Sequence, residues 1–297
     1  MSGNLVNKHM TRVIAGSGTA YNVTWLDTVS SWLESEGLRQ HLLFWTNPAF
    51  GVVKNGSNEI SKCFDLGCTL LPRGGDWVAR TAAQSTYSAT GLNSTSPAIV
   101  GASASLSQGY WGTARDGFIR TNPFRRKIRT GEGLTFLATY QKSHSNAVGL
   151  LGFGQFGGNV NLTNSSGAPG SLQFNVGAVT ATHGTTLTNS SAHIVGGVID
   201  PVALTITPYI EGVAGTSAAI SSNASCFGST GYLQNAPILM SGSDGGVYTY
   251  GSNSVDGTLT YSNQAQFTFS DLAVFGTPLS SSQMSSFNTL IRNRIGP

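Results

Sequence analysis

The chain has 297 residues, with 16 Lys plus Arg against 13 Asp plus Glu and only 10% charged residues, where a soluble domain ordinarily carries about 25%. So few cations exclude a phosphate-tracking nucleic-acid binder as the first reading, and a 39% hydrophobic share at low net charge excludes intrinsic disorder. The 38 glycines and the abundance of Ser, Thr and Asn suit turns and exposed strand faces, and disfavour long helices.

Residues 1–23 mix polar, small and apolar side chains without a sustained period and read as an arm. They lack the apolar run of a secretory signal, and no stretch of the chain is long and apolar enough to span a membrane. Residues 24–297 show no break in composition and no repeat, so they read as one domain. The first strong signal is a helix. Thr24 is its expected cap, Asp27 its first-turn acid and Gly37 its stop, with Trp25, Leu26, Val29, Trp32 and Leu33 on one face.

Strand signals begin at Leu42-Leu43-Phe44-Trp45, closed by Asn47-Pro48. A turn at 54–57 leads to an alternating segment at 60–65, and a Gly- and Pro-rich loop extends to about residue 95. Further strands are expected at 97–100, 134–140, 148–153, 171–176, 193–199, 204–211, 237–241 and 266–275. A last helix begins after Pro278, capped by Ser280 or Ser281, with Met284, Phe287, Leu290 and Ile291 on its apolar face. Short strands dispersed among turn residues predict an all-β, antiparallel two-sheet jelly-roll sandwich with one N-terminal and one C-terminal helix.

The order of these segments resembles the concanavalin A-like lectin/laminin-G-like jelly roll superfamily, in the variety found in bacteriophage structural proteins. The resemblance is carried by Leu42-Leu43-Phe44-Trp45-Thr46-Asn47-Pro48, and by Ile60-Ser61-Lys62-Cys63-Phe64-Asp65-Leu66-Gly67, where Cys63 takes the place of a tryptophan. It continues through residues 92–101, where Ser94 replaces a glycine, and through His193-Ile194-Val195-Gly196-Gly197-Val198-Ile199-Asp200. It closes on the strand-to-helix segment 271–284, where Gln283 replaces a glutamate. The superfamily holds lectins, hydrolases, lyases, adhesion modules and virion proteins, so the fold leaves the function open.

Chemistry narrows it. Sandwich glycoside hydrolases need two carboxylates flanking the bond, commonly as Glu-x-Asp-x-x-Glu on one strand, and the chain has no such triplet. The Gln-x-His pattern of jelly-roll lyases is missing; Gln141 and His144 have the wrong spacing. No nucleophile elbow occurs. Gly152-Phe153-Gly154-Gln155-Phe156-Gly157 is one string among many in a Gly-rich chain and opens no helical pattern, so it carries no dinucleotide site. Cys63, Cys68 and Cys226 have no partners at zinc spacing, and no compact Asp cluster offers calcium its oxygens. The expectation is a non-enzyme with no catalytic residues, no metal and no cofactor.

A sugar site needs aromatic rings and small polar groups on loops. Tyr110 and Trp111 form one such group, and Tyr248 and Tyr250 with Asp244 form another; otherwise these rings cover the ends of the core or a subunit contact. Arg120, Arg125, Arg126, Lys127 and Arg129 form a basic run, either a solvated loop or a surface for an acidic partner. The combined expectation is a virion structural protein, in capsid decoration or a tail or baseplate appendage, assembled in the host cytoplasm. Its partners are other virion proteins, further copies of itself and a host-surface glycan, with no nucleic acid and no membrane. The alternatives are a free bacterial carbohydrate-binding or adhesion module, and a polysaccharide hydrolase or lyase on the same fold.

Overall fold

The computed structural model describes residues 7–8, 10–11, 22–67, 77–79, 85–88, 103–106, 110–113, 133–142, 148–153, 160–165, 169–189, 191–221, 238–240 and 267–293. Helix α1 (Val23–Ser35) leads into β1 (Leu42–Thr46), β2 (Val52–Lys54), β3 (Ile60–Cys63), β4 (Trp77–Ala79), β5 (Ser85–Ser88), β6 (Ser103–Leu106) and β7 (Tyr110–Thr113). The longer strands follow: β8 (Leu134–Lys142), β9 (Val148–Phe153), β10 (Val160–Asn164), β11 (Gly170–Val176), β12 (Val179–Leu187), β13 (Ala192–Asp200) and β14 (Thr205–Ile210). The chain continues through β15 (Val213–Ala214), β16 (Ala218–Ala219), β17 (Ile238–Met240) and β18 (Phe267–Phe275) to helix α2 (Ser281–Arg292).

All strand pairs are antiparallel, and they form two sheets. The first runs β15-β14-β13-β8-β18-β6-β5, with β1 also on β18 and β16 also on β14; the second runs β12-β11-β10-β9-β17-β7-β4-β3-β2. Phe44, Phe136, Tyr140, Val195, Leu272 and Val274 of the first sheet meet Leu150, Leu162, Leu172 and Phe174 of the second in one core. A second core lies on the other face of the first sheet. There Trp45, Leu137, Ile194, Val198 and Phe275 pack against Trp25, Trp32 and Leu33 of α1 and Met284, Phe287 and Ile291 of α2. The architecture is therefore an all-β antiparallel sandwich with two helices backing one sheet.

That arrangement explains the sequence of β1. Every residue of Leu42-Leu43-Phe44-Trp45-Thr46 is buried, because this strand has a core on each side. A register shift between Leu42 and Phe44 against β18 is a bulge, and it lets both Leu43 and Phe44 join the inter-sheet core. Two neighbouring glycines of β13 serve the same layering. A Cβ on Gly197 would stand 2.6 Å from the Phe174 ring, and one on Gly196 would stand 2.6 Å from the Met284 terminal methyl. One glycine brings the sheets together and the other seats α2.

The helices match expectation except at the start of α1. Asn22, extended at φ −127°, is the cap, accepting from the Trp25 N–H; Thr24 lies within the first turn, and its carbonyl accepts from the Thr28 hydroxyl. Because the helix starts earlier than expected, Asp27 falls beyond the first turn. Gly37, at φ +68°, ends the helix, and the Leu38 N–H reaches back to the Leu33 carbonyl, a Schellman closure. In α2 the Ser280 hydroxyl accepts from the Gln283 N–H while the Gln283 side chain accepts from the Ser280 N–H, so glutamine completes the capping box.

Other expectations shift. The loop expected before residue 95 contains β4 and β5, and the strand expected at 97–100 lies outside the described residues. In the arm, Asn7, Lys8, Met10 and Thr11 are helical, and Met10 packs against the helix-side core.

The glycine pair gives a stability test. Gly197→Ala forces the Phe174 ring aside and should lower stability by about 1–3 kcal/mol, the usual cost of overpacking. Gly196→Ala should cost less, because its nearest obstacle is the flexible end of a methionine. Thermal melts of the two variants beside the parent check the order.

Candidate functional site

With α1 and α2 on its outer side, the first sheet has no free face in its central strands. Among the described residues no helix covers β11 and β12 of the second sheet. In β11 burial alternates residue by residue: Gly170, Leu172, Phe174 and Val176 are buried, and Ser171, Gln173 and Asn175 are half-exposed. In β12 Ala181, His183 and Leu187 are buried, and Thr180, Thr182 and Thr186 are exposed. Register aligns the exposed positions as Ser171 with Thr186, Gln173 with Thr182, and Asn175 with Thr180. The Thr180 hydroxyl donates to Asn175 Oδ1 at 2.6 Å. On β10, Thr163 continues the Gln173 row but is buried, so that row ends at β11.

Local features shape this strip. The β11–β12 hairpin turns on two residues, Gly177 and Ala178, and Gly177 has φ +59°, as the first position of a type II′ turn requires. Between Ser171 and Gln173 the pairing slips. There His183 turns inward, its Nδ1 accepting from the Thr185 N–H at 3.0 Å and its Nε2 lying 3.2 Å from the Val213 carbonyl. A Cβ on Gly215 would strike that imidazole at 2.7 Å, so the β15 turn closes directly over it.

At one end of the sandwich lies a buried polar group. Tyr140, Lys142 and Asn164 are all buried. Asn164 Nδ2 donates to the Tyr140 hydroxyl at 2.7 Å, and Lys142 Nζ donates to the Ser165 carbonyl at 3.2 Å. A Cβ on Gly170 would meet Asn164 Oδ1, the Ser165 carbonyl and Lys142 Nζ together, so the three converge at that glycine. Burial pushes the Lys142 ammonium down to about 8 and holds the Tyr140 phenol far above its usual value, against a smaller lowering by Asn164.

The described carboxylates of the two cores and their margins act as acceptors for the fold. Asp65 Oδ1 accepts from the Trp45 and Gly67 N–H groups. Asp271 accepts from the Trp45 indole and Asn47 Nδ2. Glu211 accepts from the Ile194 N–H and pairs with Arg292 at 2.6 Å. Among the described residues no group of three His, Cys, Asp or Glu is placed to hold a metal ion, and no helix is long and apolar enough to cross a membrane.

The residues singled out from sequence fall differently. Tyr110 and Trp111 belong to strand β7, paired with Met240 and Leu239 of β17, and not to a loop. Asp244, Tyr248 and Tyr250 lie outside the described residues, as do Arg120, Arg125, Arg126, Lys127 and Arg129. The Ser/Thr/Asn/Gln strip was missed, although a Gly-x pair between alternating segments at 170–187 is a hairpin signal.

No family model and no curated protein matches the chain. Solved structures do match. The binding domain of Paraclostridial Mosquitocidal Protein 1 superposes with a TM-score of 0.52 at 9% identity, over 84% of this chain and 52% of that one. The botulinum neurotoxin serotype D binding domain gives 0.45 at 9% identity, over 85% and 51%. A Trypanosoma rangeli sialidase in complex with sialic acid gives 0.48 at 13% identity, over 90% and 38%. The chain spans about half the length of the toxin binding domains it matches. At such identities the likeness is one of fold alone, an antiparallel β-sandwich.

The buried lysine sets a pH signature. Below about pH 8 the native ammonium is charged and its burial cost is fully present. From there toward the ordinary lysine value the native state gives up its proton before the unfolded chain does, so stability rises with pH. Tyr140 acts oppositely above about pH 10, where only the unfolded phenol ionises. The melting temperature should therefore climb between about pH 8 and 10 and then fall. In Lys142→Met the climb should flatten, with stability at pH 7 raised by roughly 1–3 kcal/mol. Melts across this range in matched ionic strength measure it.

Proposed function

We propose that this chain is a non-catalytic, lectin-like binding module of a bacteriophage virion, in capsid decoration or a tail or baseplate appendage, that attaches to glycan on the host surface. The observation that carries the reading is the asymmetry of the sandwich. One sheet is sealed by α1 and α2, while β11 and β12 of the other present hydroxyl and amide groups to solvent. Hydroxyls and amides both donate and accept, which suits the hydroxyl-rich surface of a sugar. One fold neighbour, superposing with a TM-score of 0.52, is itself a binding domain.

A non-catalytic role is supported by what the described acids do. Asp65, Asp271 and Glu211 are engaged with backbone N–H groups, an indole, an amide and a guanidinium, where hydrolysis would need two carboxylates facing a cleft. The virion assignment is supported by composition, with few charges and many Ser, Thr and Gly, on an antiparallel β-sandwich. Assembly with other virion proteins, and with further copies of the chain, completes this reading.

On an array of bacterial surface glycans, the purified protein should bind at least one structure and release no reducing or unsaturated ends from a polysaccharide panel. Release that disappears when one specific acid or tyrosine is replaced would make it an enzyme. In a host lysate carrying the phage, the chain should co-sediment with purified particles. Recovery only as a free soluble protein would favour a bacterial adhesion module.

A further inference from the structure

We infer that the strip made by β11 and β12 is the glycan-docking surface, and that it takes an electrically neutral polysaccharide laid over its three rows of hydroxyl and amide side chains. The inference rests on the glycan-binding reading above and adds to it a face, a set of residues and a ligand class.

The rows are Ser171 with Thr186, Gln173 with Thr182, and Asn175 with Thr180. Strands lie about 4.8 Å apart, and alternate residues, such as the three on β11 or Thr180 and Thr182 on β12, about 7 Å apart; the slip at His183 sets Thr186 further along. Both spacings are near the dimensions of a pyranose ring. The rows therefore offer a grid of paired donors and acceptors that a chain of linked rings can follow. The charge pattern decides between ligand classes. Strands β10, β11 and β12 contain no Asp, Glu, Lys or Arg at all. An acidic polysaccharide would bring carboxylates against a face with no cation of its own strands to receive them, and desolvating an unpaired charge is costly. A neutral chain loses nothing there.

The strip is also preorganised. Its threonines are stiff at χ1, so contact with ligand freezes little side-chain freedom. The tight Gly177-Ala178 turn joins the two strands, and the inward His183 ties β12 to Val213 of β15. Strand β12 stands at the end of its sheet, and the irregularity at His183 interrupts its free edge. Edges broken in this way are poor templates for pairing with a second copy.

The test is affinity electrophoresis of the full chain in gels cast with neutral polymers (dextran, mannan, unsubstituted β-glucan) or anionic ones (polysialic acid, alginate). At least one neutral polymer should retard the protein. Thr182→Glu and Gln173→Glu should each weaken that retardation roughly tenfold or more, and Thr182→Ser should retain it, with melting temperatures near the parent's throughout. Retardation by neutral polymers that both Glu variants leave unchanged would place the site elsewhere and overturn the inference, while the glycan-binding reading stands. Retardation by anionic polymers alone would overturn the ligand class in the same way. Self-association in sedimentation that Thr182→Glu abolishes, without glycan binding, would assign the strip to a second copy. Failure of every polymer, together with a blank glycan array, would remove the glycan reading and the inference with it.

Discussion

The fold hangs on Trp45. It sits fully buried in β1, between the sandwich and the helices, and each of its polar groups is claimed. Asp65 takes its backbone N–H, Asp271 takes its indole N–H, and its carbonyl accepts from the Leu66 N–H. Its ring stands edge-on to Trp32 of α1, Phe50 and Phe275, and tilted against Phe287 of α2. Aromatic contacts of this kind add about 0.5–1.5 kcal/mol each beyond area burial. One residue thus ties the first helix, the last strand and the last helix, which are separated by most of the chain. The two aspartates follow from it. A strand with a core on both faces cannot send polar groups to water, so its acceptors must be built in.

This constraint also dictates where a ligand can go. A sheet backed by helices spends both faces on packing, and the flanks of β13 show how completely: Gly196 and Gly197 leave no room for even a methyl group on either side. Any recognition surface in the described part of the molecule is pushed to the other sheet. There the buried positions of β11 and β12 hold the inter-sheet core, while the alternate positions are free to carry chemistry that stability does not dictate. That the paired positions among them are hydroxyl or amide is a property of the surface, not a requirement of the fold.

The sequence was most legible where packing is densest. The helix faces of α1 and α2 stand out because Trp25, Leu26, Val29, Trp32 and Leu33, or Met284, Phe287, Leu290 and Ile291, repeat at helical spacing. Strands β8, β9, β13 and β18 stand out as runs of large apolar residues. Strand β12 escaped because its inward residues are Val179, Ala181, His183 and Leu187, only two of them large aliphatics, and its outward ones are threonines. Alternation between alanine and threonine is nearly silent in hydrophobicity, although it is plain in burial. Tyr110 and Trp111 read as loop residues for the converse reason. Their flanking glycines read as loop, but Gly112 lies in a strand between Val78 and Ile238, where lack of a side chain is no obstacle to pairing.

A surface of threonines and amides with no aromatic platform in its rows recognises sugar weakly, because each hydrogen bond to ligand replaces one to water and nets only about 0.5–1.5 kcal/mol. Weak single sites are a disadvantage for a monomer free in solution. For a module displayed in many copies on one particle they are not, since the second and later contacts form at the high effective concentration set by the first. A neutral polymer of identical units gains further, because many of its units can occupy the same strip. The chemistry of β11 and β12 and the virion setting proposed for the chain therefore support each other: the strip is a poor site in one copy and an effective one in an array.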